Sequence, residues 1–527
     1  MSSLAELWYR PWALAEASGR HRVVLGAGDH TVRPDHRAAL WFHAPVANAL
    51  RSTAKSDTLE AIAGFALEGS SRSLALAAVP LRRNAPIRLA TSSGPIGVTW
   101  PDAPERPSRA LEPKTEVEKV AHALLLRGES VWDRLHEVET ALADPVNLWS
   151  ELRKQWAEDD DESDPRMDII VRHAMQLSRT LDELDRAPRR VLRRTHEMVP
   201  LDRVQEMDRR AMSWLVRQPG ETLAERAGDS QRVLAVTRQE NFDTLENRVV
   251  RAYAELASYV ARDYLERNGR KRLSRRVLKV KEFGKRAKRL GRDLASRGVR
   301  RAEPGVTPNF VLQQNPRYHA VWDAWQELLT QERLIDELWS WQAASWEEFS
   351  ALALMVAIGT IPGARLIASA PLSFRDEQHH GSWVTHDNPL GVFHLPAQQL
   401  VVEVQFRMAQ RSTAQADLGT QLWVRFGHTD DPAGFHKYAA VWSMWDVLGG
   451  QVPEDLAEVA GFLPRFRSAH VVAGLILRPA ASEEASSTER RDAVTAIELG
   501  TQGAALRDGI ASVAEFVTAL LAREVRK

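Results

Sequence analysis

The segment QLVVEVQF, residues 399–406, is the most informative one for the architecture of the second half of the chain. It is a short apolar run rich in β-branched residues, a pattern that favours a strand. Comparable apolar runs recur from about residue 351 onward, and they alternate with segments of helical periodicity. The apolar runs are ALALMVAI (351–358), GARLIASAPLSF (363–374), QLWVRFG (421–427) and HVVAGLILRP (470–479), and the helical segments are AGFHKYAAVWSMWDVLG (433–449) and GIASVAEFVTALLAREV (509–525). Residues 351–527 are therefore predicted to form an α/β domain built on a sheet.

The preceding part of the chain divides into three regions of different character. Residues 1–100 contain short alternating runs separated by Gly and Pro, which predict a β-rich N-terminal domain. Residues 101–116 carry four prolines and many charges, as an extended linker does. Residues 117–350 have apolar side chains at three- and four-residue spacing and are predicted to form a helical domain. The fold class expected for the whole chain is multidomain α+β.

Composition and charge exclude several classes of protein. The chain has 527 residues, more than one hydrophobic core usually serves, and it contains no cysteine, which excludes disulfides and thiolate metal sites. It shows neither a secretion signal nor an apolar run of about 18 residues without charge, so we expect a cytoplasmic protein with no membrane partner. The 70 basic and 70 acidic residues balance, and only their distribution can indicate a polyanionic partner.

That distribution is strongly uneven in one segment, residues 262–301. These 40 residues hold 17 Lys and Arg against four acids. Such a concentration of cations attracts phosphates and releases their condensed counterions, so the segment is a candidate for binding nucleic acid, for which DNA is the preferred expectation. The candidate residues are Arg270, Lys271, Arg272, Arg275, Arg276, Lys279, Lys281, Lys285, Arg286, Lys288, Arg289 and Arg292.

A solvated surface helix is the alternative interpretation of the same charges. The apolar residues of the segment recur at roughly helical spacing, which would turn much of the charge to one exposed face. They are Val277, Val280, Phe283, Ala287 and Leu290.

The stretch TRQENFDTLENRVVRAYAEL, residues 237–256, has the signature of a helix start. Asp243 or Thr244 can cap the helix, Glu246 falls in its first turn, and an apolar stripe follows. This segment, AMSWLVRQPG (211–220) before it and NPRYHAVWDAWQELL (315–329) after it resemble, in this order, the domain of unknown function that accompanies McrC-like proteins. The resemblance extends over about residues 200–525.

In that family the Asn-Phe-Asp-Thr-x-Glu-Asn-Arg helix precedes a restriction-endonuclease-like fold of the PD-(D/E)xK class. The resemblance therefore implies a PD-(D/E)xK-like domain at 351–527, in which carboxylates on neighbouring strands hold Mg²⁺. The strand 399–406 stands where the (D/E)xK strand should be, with Glu403 and Gln405 on one face. Gln405 then occupies the position of the lysine. A Pro-Asp pair is missing upstream, where Asp376 and Asp387 are the available acids.

The implied site has Glu403 and Asp387 as metal ligands and Glu403, Gln405, Asp387 and Lys437 as candidate catalytic residues. Lys437 lies in DDPAGFHKYAAVW (430–442), which resembles the family's closing helix and is expected to supply a displaced cation. Tyr438, beside it, is expected to pack in the core.

The function that the resemblance implies is that of an McrC-like component of a bacterial restriction or anti-phage defence system. It would bind nucleic acid and work with an AAA+ ATPase of the McrB type, since the chain lacks the GxxxxGK[ST] loop of a motor. The nuclease site, with its E-x-Q motif, leaves two alternatives open: a Mg²⁺-dependent endonuclease, or an inactive adaptor that uses the nuclease fold only for binding. A scaffold that binds protein alone is a third alternative.

Overall fold

The protein is described here from a computed structural model. The residues that the structure describes are 5–16, 18–31, 41–45, 74–78, 87–91, 94–99, 106–107, 114–141, 147–157, 169–267, 274–340, 342–370, 389–406, 417–430, 437–445, 452–482 and 484–525.

The first hundred residues contribute strands, and the predicted β-rich character is confirmed for the described residues. The strands are β1 (Ala5–Trp8), β2 (Arg22–Leu25), β3 (Gly28–Thr31), β4 (Trp41–Pro45), β5 (Leu74–Ala78), β6 (Ile87–Thr91) and β7 (Gly94–Thr99). They form a four-stranded sheet in the order β2-β1-β4-β5 and a three-stranded sheet in the order β3-β7-β6.

The middle of the chain is helical, as its periodicity predicts, with one long hairpin. The helices are α1 (Glu116–Ala141), α2 (Leu148–Ala157), α3 (Ile169–Gln176), α4 (Ser178–Arg186), α5 (Arg209–Val216), α6 (Leu223–Arg226), α7 (Leu245–Arg267), α8 (Arg275–Ser296), α9 (Phe310–Gln314), α10 (Pro316–Ser340) and α11 (Gln342–Thr360). Strands β8 (Val191–Pro200) and β9 (Arg232–Asn241) pair antiparallel as the hairpin.

The last third of the chain builds an eight-stranded mixed sheet. Its strands are β10 (Arg365–Ser369), β11 (Gly391–Leu395), β12 (Leu400–Phe406), β13 (Leu422–His428), β14 (Lys437–Ser443), β15 (Val471–Pro479), β16 (Thr488–Arg491) and β17 (Val494–Leu499), with helices α12 (Val452–Phe462) and α13 (Gly503–Val525). The strand order is β10-β11-β12-β13-β14-β15-β17-β16. Pairing is antiparallel except between β14 and β15 and between β15 and β17. The predicted combination of a sheet with helices is confirmed.

One predicted helix of this region is wrong. The stretch AGFHKYAAVWSMWDVLG was expected to be helical, but its residues 437–443 form strand β14 between β13 and β15. Residues 439–443 are all buried. A strand that is covered on both faces has a continuous apolar run and lacks the alternation that identifies a half-exposed strand. The same ambiguity affects ALALMVAI, which belongs to the buried helix α11.

Contacts divide the chain into two compact units. Unit 1 comprises Met1–Asp161 and Leu334–Lys527, and unit 2 comprises Glu162–Arg333. This division cuts across the predicted helical domain 117–350, because α1 and α2 pack against α11, which itself packs against the strands of the large sheet. A helix that is apolar on all sides needs such cover, and every residue of α11 from Gln342 to Ile358 is buried.

Unit 2 has its own core, formed by α3, α4, α7, α8 and α10. Helix α8 carries the basic segment, and it contributes Val277, Val280, Phe283, Ala287 and Leu290 to this core, as its spacing predicts. The charged residues of α8 consequently lie on the opposite side of the helix. In the described part of the chain, no helix is both long enough and apolar enough to cross a membrane.

Candidate functional site

Glu403 lies in the middle of β12, between β11 and β13, in the centre of the large sheet. Its register partners are Val392 on β11 and Arg425 on β13. Arg425 is in turn opposite Tyr438 on β14. Residues directly opposite each other in antiparallel strands share a face of the sheet, so Glu403, Arg425 and Tyr438 form a row across three strands.

The carboxylate of Glu403 is buried and already bound by two side chains. Arg425 Nη1 is 2.9 Å from Glu403 Oε2, and Gln405 Nε2 donates to the same oxygen at 3.2 Å. Burial raises the pKa of Glu403, and the neighbouring Arg425 and the hydrogen bond from Gln405 only partly oppose this effect. The predicted neighbours Glu403 and Gln405 are therefore in contact.

Aromatic rings hold the guanidinium of Arg425 in this position. Its central carbon lies 5.5 Å from the ring centre of Tyr438, within the range of a cation–π contact. Tyr438 packs edge-on against Trp423 with 5.9 Å between ring centres, within the range of about 4.5–7 Å that is typical of such pairs. The half-buried Tyr438 therefore serves packing, and sequence reasoning missed Arg425 as the partner of Glu403.

A magnesium ion prefers about six oxygen ligands in octahedral geometry. At this place the described residues offer one carboxylate, already bound by a guanidinium, and the amide oxygen of Gln405. That oxygen is buried and has no hydrogen-bond partner among the described residues. Lys437 pairs with Phe426, so it lies on the face of the sheet opposite Glu403. Asp387 lies outside the described residues. The residues that the structure describes do not fit a magnesium site.

The basic helix α8 presents most of its cations to solvent. Arg286 and Arg289 are neutralised by α4, with Nη1 of Arg286 2.9 Å from Asp182 and Nη2 of Arg289 3.1 Å from Asp185. Arg275 is exposed, whereas Arg276 and Lys279 are half-buried. Arg270, Lys271 and Arg272 lie outside the described residues.

Four further cations of α8 form a line along the helix, which we call the cationic stripe. They stand at spacings of four, three and four residues, so they share one side of the helix over about 16 Å. This side is opposite the buried face, and all four side chains are exposed. No carboxylate of the described residues lies within ion-pair distance of them. The stripe consists of Lys281, Lys285, Lys288 and Arg292.

The segment NFDTLENR, residues 241–248, forms a buried polar junction in unit 2. Asn247 Nδ2 donates to the backbone oxygens of Arg189 at 2.7 Å and Phe242 at 2.8 Å, and Tyr318 Oη donates to Asn247 Oδ1 at 3.0 Å. These bonds connect the base of the β8–β9 hairpin, the start of α7 and the first turn of α10. The role of Asn247 is therefore structural.

The carboxylate of Asp243 extends this junction toward the end of α8. It accepts two hydrogen bonds of 2.7 Å from Arg248, and Arg300 donates to it through its backbone N–H and Nε at 2.9 Å. The hydrogen bonds from Arg248, the largest effect, hold the pKa of Asp243 far below its usual range. Thr244 caps the helix, with Asn247 N–H donating to its hydroxyl at 3.4 Å.

One protein-family model matches the part of the chain that contains this polar junction. Residues 149–321 match the model of a domain of unknown function, DUF2357. The matched range includes AMSWLVRQPG, RQENFDTLENRVVRAY and the start of NPRYHAVWDAWQELL. No curated protein matches the chain.

A solved structure is similar over most of the length. It is described as a refined half-complex from the tetradecameric assembly of Thermococcus gammatolerans McrB AAA+ hexamers with bound McrC. The similarity covers 90% of this chain and 91% of that chain, with 11% sequence identity and a TM-score of 0.21. At this TM-score the likeness does not establish a common fold.

We predict that Arg425→Met destabilises unit 1 in a pH-dependent way. The substitution leaves the Glu403 carboxylate buried without a cation, which we expect to cost about 3 kcal/mol of unfolding free energy at pH 8, the lower end of the range for such a change because Arg425 is partly exposed. The pKa of Glu403 is higher in the folded chain than in the unfolded chain, where it is about 4.3. The free energy of unfolding of the variant therefore falls as the pH rises from the unfolded-state pKa through the folded-state pKa. Urea denaturation at pH 5 and pH 8 measures the difference.

The control is Arg365→Met, which removes an exposed arginine from edge strand β10 and should change stability little at either pH. An equal loss at both pH values in Arg425→Met would show that Glu403 is not the group left unpaired.

Proposed function

We propose that this chain binds nucleic acid through the cationic stripe of α8 and holds it without cutting it, as an McrC-like component of a bacterial defence system. The observation that carries the proposal is the stripe itself: four exposed cations in one line, without a neutralising carboxylate among the described residues. The match to DUF2357 in the region 149–321 agrees with the sequence resemblance to the domain that accompanies McrC-like proteins.

Electrostatics supports a phosphate backbone as the ligand of the stripe. Lys and Arg side chains that neutralise phosphates release condensed counterions, and the gain does not depend on base sequence. Positions four and three residues apart on a helix are about 5–6 Å apart, so four successive cations can contact several phosphates of one strand. The balanced charge of the whole chain means that the attraction is local. DNA is the expected nucleic acid, with no base preference encoded by the stripe.

The surroundings of Glu403 support the adaptor over the endonuclease. In the mechanism implied by the resemblance, a carboxylate binds Mg²⁺ and a lysine polarises the attacking water. Here a guanidinium takes the place beside the carboxylate, an amide takes the place of the lysine, and Lys437 lies on the other face. The sheet then serves binding or assembly. A Mg²⁺-dependent endonuclease would have to draw its further ligands from outside the described residues.

An AAA+ ATPase of the McrB type is the proposed partner. The sequence has no phosphate-binding loop of its own, so nucleoside triphosphate hydrolysis has to come from another chain. The solved assembly named above is an McrC bound to McrB AAA+ hexamers. The absence of cysteine suits the reducing cytoplasm in which such systems act.

Reversal of the four stripe charges to Glu tests the binding proposal. We expect the variant to bind duplex DNA at least about 100-fold more weakly at 50 mM salt, because four phosphate contacts are lost. The slope of log K against log salt concentration should fall by about 3–4 for the same reason. Fluorescence anisotropy with a labelled 30-mer duplex measures both quantities.

A matched control reverses Arg203, Arg209, Arg210 and Arg217 to Glu. These four arginines are exposed in the same unit, and the substitution changes the net charge by the same amount. The control should retain most of the affinity. Equal affinity of the stripe variant and the unchanged chain would refute the proposal, and equal weakening in both variants would show that net charge alone attracts DNA.

The partner proposal has its own test. We expect a gene for an AAA+ ATPase beside the gene for this chain, and we expect the two purified proteins to elute together in the presence of nucleotide. Addition of this chain should raise the hydrolysis rate of the ATPase several-fold. Separate elution together with an unchanged rate would contradict the partner without affecting the DNA-binding test.

A further inference from the structure

A second group of metal-ligand side chains lies in unit 1, apart from Glu403. It consists of Glu16 and His21 near the N-terminus and Glu458 on α12. One ligand atom from each of the three lies within 4.8 Å of the others, and all three side chains are half-buried. Among the described residues this is the one group of three or more His, Asp or Glu side chains that is close enough to hold a metal ion.

The contacts within the group leave one oxygen unsatisfied. His21 Nε2 is 3.1 Å from both carboxylate oxygens of Glu458, and Trp12 Nε1 donates to Glu458 Oε2 at 3.2 Å. The hydroxyl of Ser18 donates to Glu16 Oε1. Glu16 Oε2 is buried and has no hydrogen-bond partner among the described residues. A buried carboxylate oxygen without a donor is rare in proteins and needs an explanation.

The nearby arginines supply only part of the positive charge that two carboxylates need. Arg10 donates to Asp455 at 2.6 Å, and its charge adds to the effect of His21 and Trp12 in lowering the pKa of Glu458. Arg20 is 3.9 Å from Glu458, and its side chain is 72% exposed, so it can turn to solvent. Two carboxylates thus converge on a single imidazole, an arrangement that a divalent cation would neutralise.

We propose that Glu16, His21 and Glu458 bind a zinc ion. Zinc accepts imidazole nitrogen together with carboxylate oxygen, and three protein ligands plus a water complete its usual four-coordinate shell. Magnesium and calcium prefer shells of oxygen alone, so this imidazole is a poor ligand for them. The proposed site ties the segment between β1 and β2 to helix α12, which are more than 400 positions apart in the sequence. It is independent of the proposed nucleic-acid binding.

Isothermal titration of the full-length, chelator-stripped protein with zinc chloride tests the site. We expect one zinc ion per chain and a rise in melting temperature on saturation, because zinc binds the folded state. Glu16→Gln keeps the size of the side chain and leaves the His21–Glu458 pair intact. We expect both Glu16→Gln and His21→Ala to weaken zinc binding at least about tenfold. We also expect both variants to lose most of the rise in melting temperature that zinc causes.

His319→Ala is the matched control, since His319 is a histidine of unit 2 that is paired only with Asp323 on its own helix among the described residues. It should bind zinc as the unchanged chain does. Binding that is absent at 100-fold molar excess of zinc, or that is equally strong in Glu16→Gln and His21→Ala, would overturn the proposal. Magnesium chloride in place of zinc chloride should produce no saturable heat.

Discussion

The ion pair between Arg425 and Glu403 is the interaction on which the interpretation of the large sheet depends. A carboxylate in the centre of a sheet is costly to bury, and it needs either a metal ion or an organic cation beside it. In this chain the neighbouring strand supplies a guanidinium, which Tyr438 holds from the other side. The carboxylate of Glu403 thereby forms an ion pair between two neighbouring strands.

Unit 2 depends on a different constraint, the orientation of α8. Its buried residues from Val277 to Leu294 determine which side of the helix faces the core, and the cationic stripe follows on the opposite side. The polar junction around Asn247 and Asp243 fixes the ends of the elements that pack against this helix. Through Arg300, Asp243 also holds the chain just beyond α8. The segment 241–248 thus orders the elements that pack beside α8.

The sequence was sufficient where the residue types or their spacing favour one secondary structure clearly. The period of α8 predicted its buried residues, and QLVVEVQF predicted a strand with Glu403 and Gln405 on the same face, where the two are now seen in contact. It was insufficient for segments covered on both sides: β14 was expected to be a helix, and ALALMVAI, which belongs to helix α11, was counted among the apolar runs of the α/β domain. In both cases the apolar run carries no period that would distinguish the alternatives.

Partners that are distant in sequence could not be predicted for a second reason. The pairing of Glu403 with Arg425 follows from the register between β12 and β13, which no local pattern specifies. The same holds for His21 and Glu458, which the fold brings together across nearly the whole chain. The roles of all candidate site residues stay predictions, and Asp387, Arg270, Lys271 and Arg272 also lie outside the described residues.

The most direct test of the account is an incubation of the pure protein with supercoiled plasmid in Mg²⁺ and in Mn²⁺, with Glu403→Ala alongside and with and without the ATPase partner. We expect the protein to retain the plasmid at low salt and the plasmid to stay supercoiled in every arm. Nicking or linearisation by the unchanged chain that is lost in Glu403→Ala would contradict it, because the carboxylate would then serve as a metal ligand despite its pairing with Arg425.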